Sequence, residues 1–185
     1  ARQKIEKMAE FLCNYLPPAG TVPQFGDSDD GVILRLTESG PLYDHRGLLA
    51  LAAVLFRRGD FKHHAGGFSL EAAMLTGDAG KETFDELQAV AREESRIYRS
   101  GGFAVLRNRW FHCMADIGPI GLHGNNDTLS FTLHTADGGI VIDPGTFCYT
   151  RDPDRRNQLR STRAHNAPMV DRTEIAQFDG LWRVK

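Results

Sequence analysis

The chain has 185 residues, 41% of them hydrophobic, enough to bury a sizeable core in one large domain or two small ones. A formal charge of -2 gives no bulk basic character, so neither nucleic acid nor an anionic membrane surface is expected as a partner. Cys13, Cys113 and Cys148 are scattered without CxxC spacing, which argues against a disulfide framework or a thiolate zinc site, and no apolar run approaches a membrane span.

At the start, ARQKIEKMAEFL carries no secretion-signal pattern and is expected to open partway through a longer protein. Ile5, Met8, Ala9, Phe11, Leu12, Tyr15 and Leu16 recur at three- and four-residue steps, which predicts an amphipathic helix stopped by Pro17 and Pro18. The pattern then breaks into TVPQFGDSDDG and the short apolar run VILRL, a loop rather than a helix. Counted from Asp27, Glu38 falls at the twelfth place of a calcium loop, but Gly31, Ile33 and Arg35 occupy intervening ligand places, so a polar turn is expected instead. Asp44 is placed to cap a buried helix from Leu48 to Phe56, ended by Gly59. Ser69 caps SLEAAML with Gly77 as its stop, and Lys81 to Arg92 forms a further helix with Phe84, Leu87, Val90 and Ala91 inward.

Near Tyr98 the period changes to two. GGFAVLRNRWFHCMADIG, TLSFTLHTADGGIVIDPG and APMVD read as strands. The clearest element is a hairpin in which Leu129, Phe131 and Leu133 alternate with Ser130, Thr132 and His134. It turns through Ala136 to Gly139 and returns through Ile140 to Ile142, a strand that reads as buried. Helices followed by strands indicate an α+β chain with an antiparallel sheet, divided into a helical segment over 1–97 and a β-rich segment over 98–185.

Three polar blocks in the second half could carry chemistry: HGNND at 123–127, IDPGTFCYT at 142–150 and RSTRAHN at 160–166. Asp143 precedes Pro144 and Gly145, which halt a ladder and present the carboxylate at a strand end, where capping the turn is the simpler alternative. Asn125, Asp143 and His165 together offer an amide oxygen, a carboxylate and an imidazole. His123, two residues before Asn125, shares its face if that segment is extended. Arg155, Arg156, Arg160 and Arg163 form a local basic cluster whose guanidinium forks suit carboxylates and sulfates.

Taken in order, VPQFGDSDDG, DHRGLLALAAVLFRR, SGGFAVLRNRW, HGNNDTLSFTLHTADGGIVIDPGTFCYT and RSTRAHNAPMVD resemble consecutive blocks of bacterial heparinase II/III-like proteins, from Thr21 to about Asp171. The resemblance implies the last helices of an α/α-toroid over 1–97, followed by part of an antiparallel β-sandwich from 98. It also implies a polysaccharide lyase that acts on an acidic glycan by β-elimination, in the periplasm or secreted, with its main catalytic set upstream. A non-catalytic glycan-binding or assembly module of the same fold is the alternative, and the oligomeric state stays open, a dimer included. On this likeness Tyr149 is a catalytic candidate, and Arg160, Arg163 and His123 are candidate substrate contacts. Zinc is implied on the positions of Asn125, Asp143 and His165. Asparagine is a weak zinc ligand, so zinc, a harder ion, help from His123 or no metal at all are the alternatives. Ala167 also stands where the family pattern commonly has threonine.

Overall fold

A computed structural model describes residues 1–28, 31, 36, 43–121 and 124–185. The chain is α+β and divides into two compact units, one of residues 1–22 and 31–94 and the other of residues 23–30 and 95–185. The segment 23–30, which the sequence counts with the helices, thus folds with the β-rich part.

The first unit is helical. Helix α1 (Arg2–Tyr15) ends ahead of the two prolines, α2 (Arg46–Phe56) carries the long apolar run, and α3 (Gly59–Ala65) and α4 (Leu70–Glu86) follow. Ser69 Oγ accepts a hydrogen bond from the Ala72 amide at 3.1 Å and caps α4 as expected, whereas Asp44, which accepts from the Arg46 amide at 3.0 Å, stands one residue ahead of the α2 N-cap, His45. Gly77, at φ 60° and ψ -159°, breaks α4 where a stop is expected, because only glycine enters that backbone region cheaply. Two more expectations differ. Arg57 in the left-handed region, not Gly59, ends α2, and Gly59 opens α3; the final helix stops at Glu86, short of Arg92. Leu49, Ala50, Ala53, Phe61 and Ala72 are fully buried where these helices meet, with Leu16, Val22 and Phe84 around them. Alanines on α2 let the neighbouring backbones approach, so the core is formed as much by small residues as by large ones.

The second unit is built on a five-stranded antiparallel meander, β1 (Arg96–Tyr98), β2 (Phe103–Arg107), β3 (His112–Asp116), β4 (Phe131–Thr135) and β5 (Gly138–Val141), paired in chain order. Register places Val105 opposite Met114, Met114 opposite Thr132 and His112 opposite His134. Those residues form the buried face, while Leu106, Phe131, Ile140 and Ile142 are exposed on strands or strand ends. The predicted hairpin is present, but its returning strand is not buried: Ile142 is 64% exposed. Alternation fixes that the two faces differ, and here the polar one turns inward. Residues 167–171 form turns and coil, not the strand that APMVD suggests, since Asn166 and the loop beyond are drawn into side-chain hydrogen bonds.

After the sheet come helix α5 (Pro153–Leu159), a 3-10 turn at Thr162–Ala164, and a small ladder of β6 (Phe178–Asp179) with β7 (Arg183–Val184). Helix α5 starts for a local reason: Asp152 accepts from the Arg155 amide at 2.9 Å and Pro153 takes the first turn, where its missing N–H costs nothing. Among the described residues no helix is long and apolar enough to cross a membrane.

Candidate functional site

The interior of the second unit is polar. Val105 and Met114 are its buried hydrophobic residues, against buried Asn125, Asn126, Asp127, Thr132, Asp143, Arg156, Arg160, Thr162 and His165. Burying polar groups is tolerable only when they satisfy one another, so this interior requires a connected network.

One anchor is Asp27. Arg156 grips it in a two-pronged ion pair at 3.0 and 2.8 Å, with the two side chains 1% and 9% exposed. Asn125 Nδ2 donates to Asp27 Oδ1 at 3.0 Å, Thr146 Oγ1 donates to the same oxygen at 3.3 Å, and the Tyr149 hydroxyl donates to the Asp27 carbonyl at 3.2 Å. The neighbouring Gly26 amide donates to Asp127 Oδ2 at 2.9 Å, and its φ of 56° suits glycine at this close approach. Residues 23–28 are therefore stitched to the first two polar blocks and to helix α5 at once. Sequence reading took Asp27 for a turn aspartate; its partners lie about a hundred residues away and leave no local signal.

A second anchor joins the other two blocks. His165 Nδ1 and Asp143 Oδ2 lie 2.7 Å apart, with side chains 1% and 2% exposed. Asp143 Oδ1 also accepts from the Gly145 amide at 3.0 Å, so the turn-capping role and the histidine contact coexist in one carboxylate. Burial opposes charge on His165, but the hydrogen bond and charge of Asp143, with Asp127 and Glu174 behind it, win and raise the imidazole above its ordinary value. Asn166 Nδ2 bonds the carbonyls of Phe131 and Ile142 at 3.2 and 2.8 Å, which locks the 160–166 block onto the hairpin. Glu174, unsignalled in the sequence, collects Asn126 Nδ2, the Thr162 amide and the Thr162 hydroxyl at 2.8, 2.8 and 3.0 Å. These bonds hold its carboxyl below the usual range against the upward push of burial.

The candidate residues separate in position. Asn125, Asp143 and His165 are all buried in this network. Tyr149 points its hydroxyl at the Asp27 carbonyl and stacks on Trp182 at 5.7 Å, with the Arg156 guanidinium 5.3 Å from its ring centre. Arg160 is 1% exposed, donates to Asn157 and to the carbonyls of Gly124 and Gly180, and covers the Phe178 ring at 4.1 Å. The structure thus turns Arg160 into an internal strut rather than a ligand-facing arginine, while Arg163 and Arg155 are exposed. The basic cluster divides because Arg156 and Arg160, four residues apart, share the inward face of α5 and its C-terminal cap. His123, like Asp29, Asp30 and Glu38 of the possible calcium loop, lies outside the described residues.

A closed zinc site takes four ligands, usually thiolate or imidazole with some carboxylate. Here Asn125 donates an amide N–H to Asp27 and has only its weakly ligating carbonyl oxygen to offer, beside one imidazole and one carboxylate already bonded to each other. Among the described residues no group of three or more His, Cys, Asp or Glu is placed to hold a metal ion. His165 Nε2 is a buried nitrogen without a hydrogen-bond partner among them, so one ligand atom is at hand, but the described donors by themselves do not fit zinc.

Beside this network lies a recess of about 370 Å³ whose lining includes Phe25, Gly26, Arg99, Asp116, Asn125 and Asp127. Burial pushes the Asp116 carboxyl up to about 6, an effect the Gly118 amide bond opposes and the Asp127 charge adds to. Since its folded value lies above its ordinary value of 3.8, the folded chain holds this proton more tightly than the unfolded one. The side chain therefore carries a penalty that is complete above pH 6 and vanishes as pH falls toward 3.8. Asp116→Asn is expected to raise stability at pH 7.5 by about 1 kcal/mol, discounted because the carboxyl is only half-buried, and to leave it unchanged at pH 4. Urea unfolding at both pH values checks this, and equal effects at the two would refute it.

An antiparallel meander with its polar face inward, carrying three converged polar blocks, is the second unit's defining feature. Residues 91–185, over half of the chain, match the family model described as Heparinase II/III-like, C-terminal, and the chain belongs to that family. Among solved structures it is similar to a heparinase III with methylated lysines, the BT4657 gene product, at TM-score 0.67 and 22% identity over 93% of this chain and 24% of that one. It is similar also to the heparan sulfate lyase HepC from Pedobacter heparinus, at TM-score 0.62 and 22% identity over 88% of this chain and 23% of that one. The chain thus spans about a quarter of the length of these structures, and the likeness to them is one of fold. Among curated proteins none matches.

Proposed function

We propose that the protein is a polysaccharide lyase cleaving a uronic-acid-containing acidic glycan by β-elimination, and that this chain supplies part of its glycan-facing scaffold. The observation that carries the reading is membership of the heparinase II/III-like family across the very blocks that converge here, 123–127, 142–150 and 160–166. β-Elimination requires neutralisation of the uronate carboxylate, a base for the C5 proton and an acid for the departing O4. Within the chain, Asp27, Asp143, His165 and Glu174 position the blocks, the exposed Arg163 suits an acidic sugar, and His123 on the first block is assigned to substrate. The remaining catalytic groups are assigned to other parts of the protein, and the periplasm or the exterior is the compartment such a substrate implies. Tyr149 enters the reaction only if its hydroxyl leaves the Asp27 carbonyl.

That engagement of Tyr149, together with the internal role of Arg160, favours one second reading, a non-catalytic glycan-binding module of the same fold. Incubation of the full-length protein with alginate, heparin, heparan sulfate and hyaluronan separates the two. The lyase reading expects rising ultraviolet absorbance from an unsaturated product on at least one polymer. Binding with no scission of any of them establishes the module instead.

A further inference from the structure

We propose that Phe147 and Arg155 form a sugar-holding pair on the surface of the second unit, the ring lying against the C–H face of an acidic sugar and the guanidinium taking its anionic group. The proposal rests on the glycan-acting reading and adds to it two residues through which this chain holds the polymer.

Phe147 breaks two local rules at once. Its φ is 61°, and the Cys148 amide donates to the Thr146 carbonyl at 2.7 Å, so Phe147 is the centre of a three-residue turn in the left-handed region. Such a turn is rare and strained, and a bulky aromatic residue suits it far less than glycine does. Nor does the side chain gain burial in exchange, since the residue is 76% exposed. The conformation is imposed from both sides. Thr146 Oγ1 donates to the Gly26 carbonyl and to Asp27, and the Tyr149 hydroxyl donates to the Asp27 carbonyl, which fixes the block around Phe147 and leaves it as the outward apex. An aromatic residue held against its backbone preference, with no burial in return, points to a use outside the chain.

The Arg155 guanidinium lies over this ring, 5.7 Å from its centre. Helix α5 sets the position: its first turn directs Arg155 to solvent, while Arg156 beside it turns inward to Asp27. Arg155 Nη1 donates to Gln158 Oε1 at 2.9 Å, and the other N–H groups of the fork suit a carboxylate or sulfate. An apolar ring beside a guanidinium matches an acidic sugar in both respects, because a pyranose presents an apolar C–H face and carries its charge at the ring's edge.

Phe147→Gly separates binding from packing, because glycine relieves the turn and removes an exposed ring. Affinity electrophoresis of the full-length protein through gels holding alginate, heparin, heparan sulfate or hyaluronan reads binding, and urea unfolding reads stability. Phe147→Gly is expected to weaken binding roughly tenfold with an unchanged or higher urea midpoint, and Phe147→Tyr to bind as the wild type does. Arg155→Gln is expected to lose severalfold at low salt, a difference that shrinks as salt screens the charge. A lower midpoint in Phe147→Gly shows that the ring packs within the whole protein and overturns the pair. Wild-type affinity in Phe147→Gly, or a wild type that binds none of the four polymers, overturns it as well. Ultraviolet absorbance reads cleavage separately: cleavage by the wild type with unchanged binding in Phe147→Gly sinks the pair alone. Binding lost in Phe147→Gly with no cleavage by the wild type sinks the lyase reading alone.

Discussion

Asp27→Ala is expected to destabilise the second unit by about 3–5 kcal/mol, as breaking a buried ion pair from one side does. The cost comes from what remains. Arg156 is 1% exposed, and without the carboxylate its buried guanidinium loses a two-pronged partner, while its bond to the Leu181 carbonyl at 3.0 Å stays. Asn125 and Thr146 lose an acceptor at the same time. Because the penalty falls on a buried charge that has lost its two-pronged partner, adding Arg156→Met should recover much of it, since an apolar side chain can lie against Tyr149 and Trp182 where the guanidinium now lies. Both tryptophans, Trp110 and Trp182, belong to the second unit, so urea unfolding followed by intrinsic fluorescence reads the right part of the molecule. A loss below about 1 kcal/mol in Asp27→Ala, or no recovery in the double variant, would show that the pair does not hold residues 23–28 in place.

The second large effect is at Asp143. Asp143→Ala strips the acceptor from a histidine whose side chain is 1% exposed and whose Nε2 already has no partner among the described residues. The expected cost is about 3 kcal/mol near pH 6, where an unpaired buried imidazolium is worst. The sign with pH follows from the raised His165 value. A histidine bound more tightly to its proton in the folded state contributes stability that is fully present below its ordinary value of about 6.5. That contribution is lost as pH rises through the raised folded value. The gap between wild type and Asp143→Ala should therefore be widest near pH 6 and narrow above neutrality, leaving the smaller cost of a neutral hydrogen bond. Denaturant midpoints at pH 6 and pH 8.5 test it; a gap that widens with pH would invert the assignment of the charged pair.

The two anchors differ in how visible they are in the sequence. Asp143 and His165 sit in blocks whose order and spacing resemble a family, and the structure brings them together. Glu174 belongs to no such pattern, and Asp27, although it lies in the resembling block VPQFGDSDDG, reads there as one of several turn aspartates. Both lie outside helices and strands, and their importance arises from donors contributed by other segments. The arginines show the same limit from the other side. Four in one short stretch read as a surface for anions, yet helix periodicity sends Arg156 and Arg160 inward to hold carboxylate, carbonyl and ring.

The opening features of length, composition and charge bounded the chain to an ordinary globular protein, and local chemistry settled the elements within it. Prolines ended α1, Ser69 capped α4, Gly77 broke it, and alternation about Phe131 marked the hairpin, because each of these effects acts within a few residues. Only the tertiary structure decided which face of the sheet is inside. Hydrophobic alternation alone favours Phe131 and Ile142 as core, but Thr132, His112 and His134 are buried instead. The reason is that the polar blocks, once anchored by Asp27, Asp143 and Glu174, satisfy one another on that side, and the free energy of an inward-facing network depends on partners assembled across the whole fold.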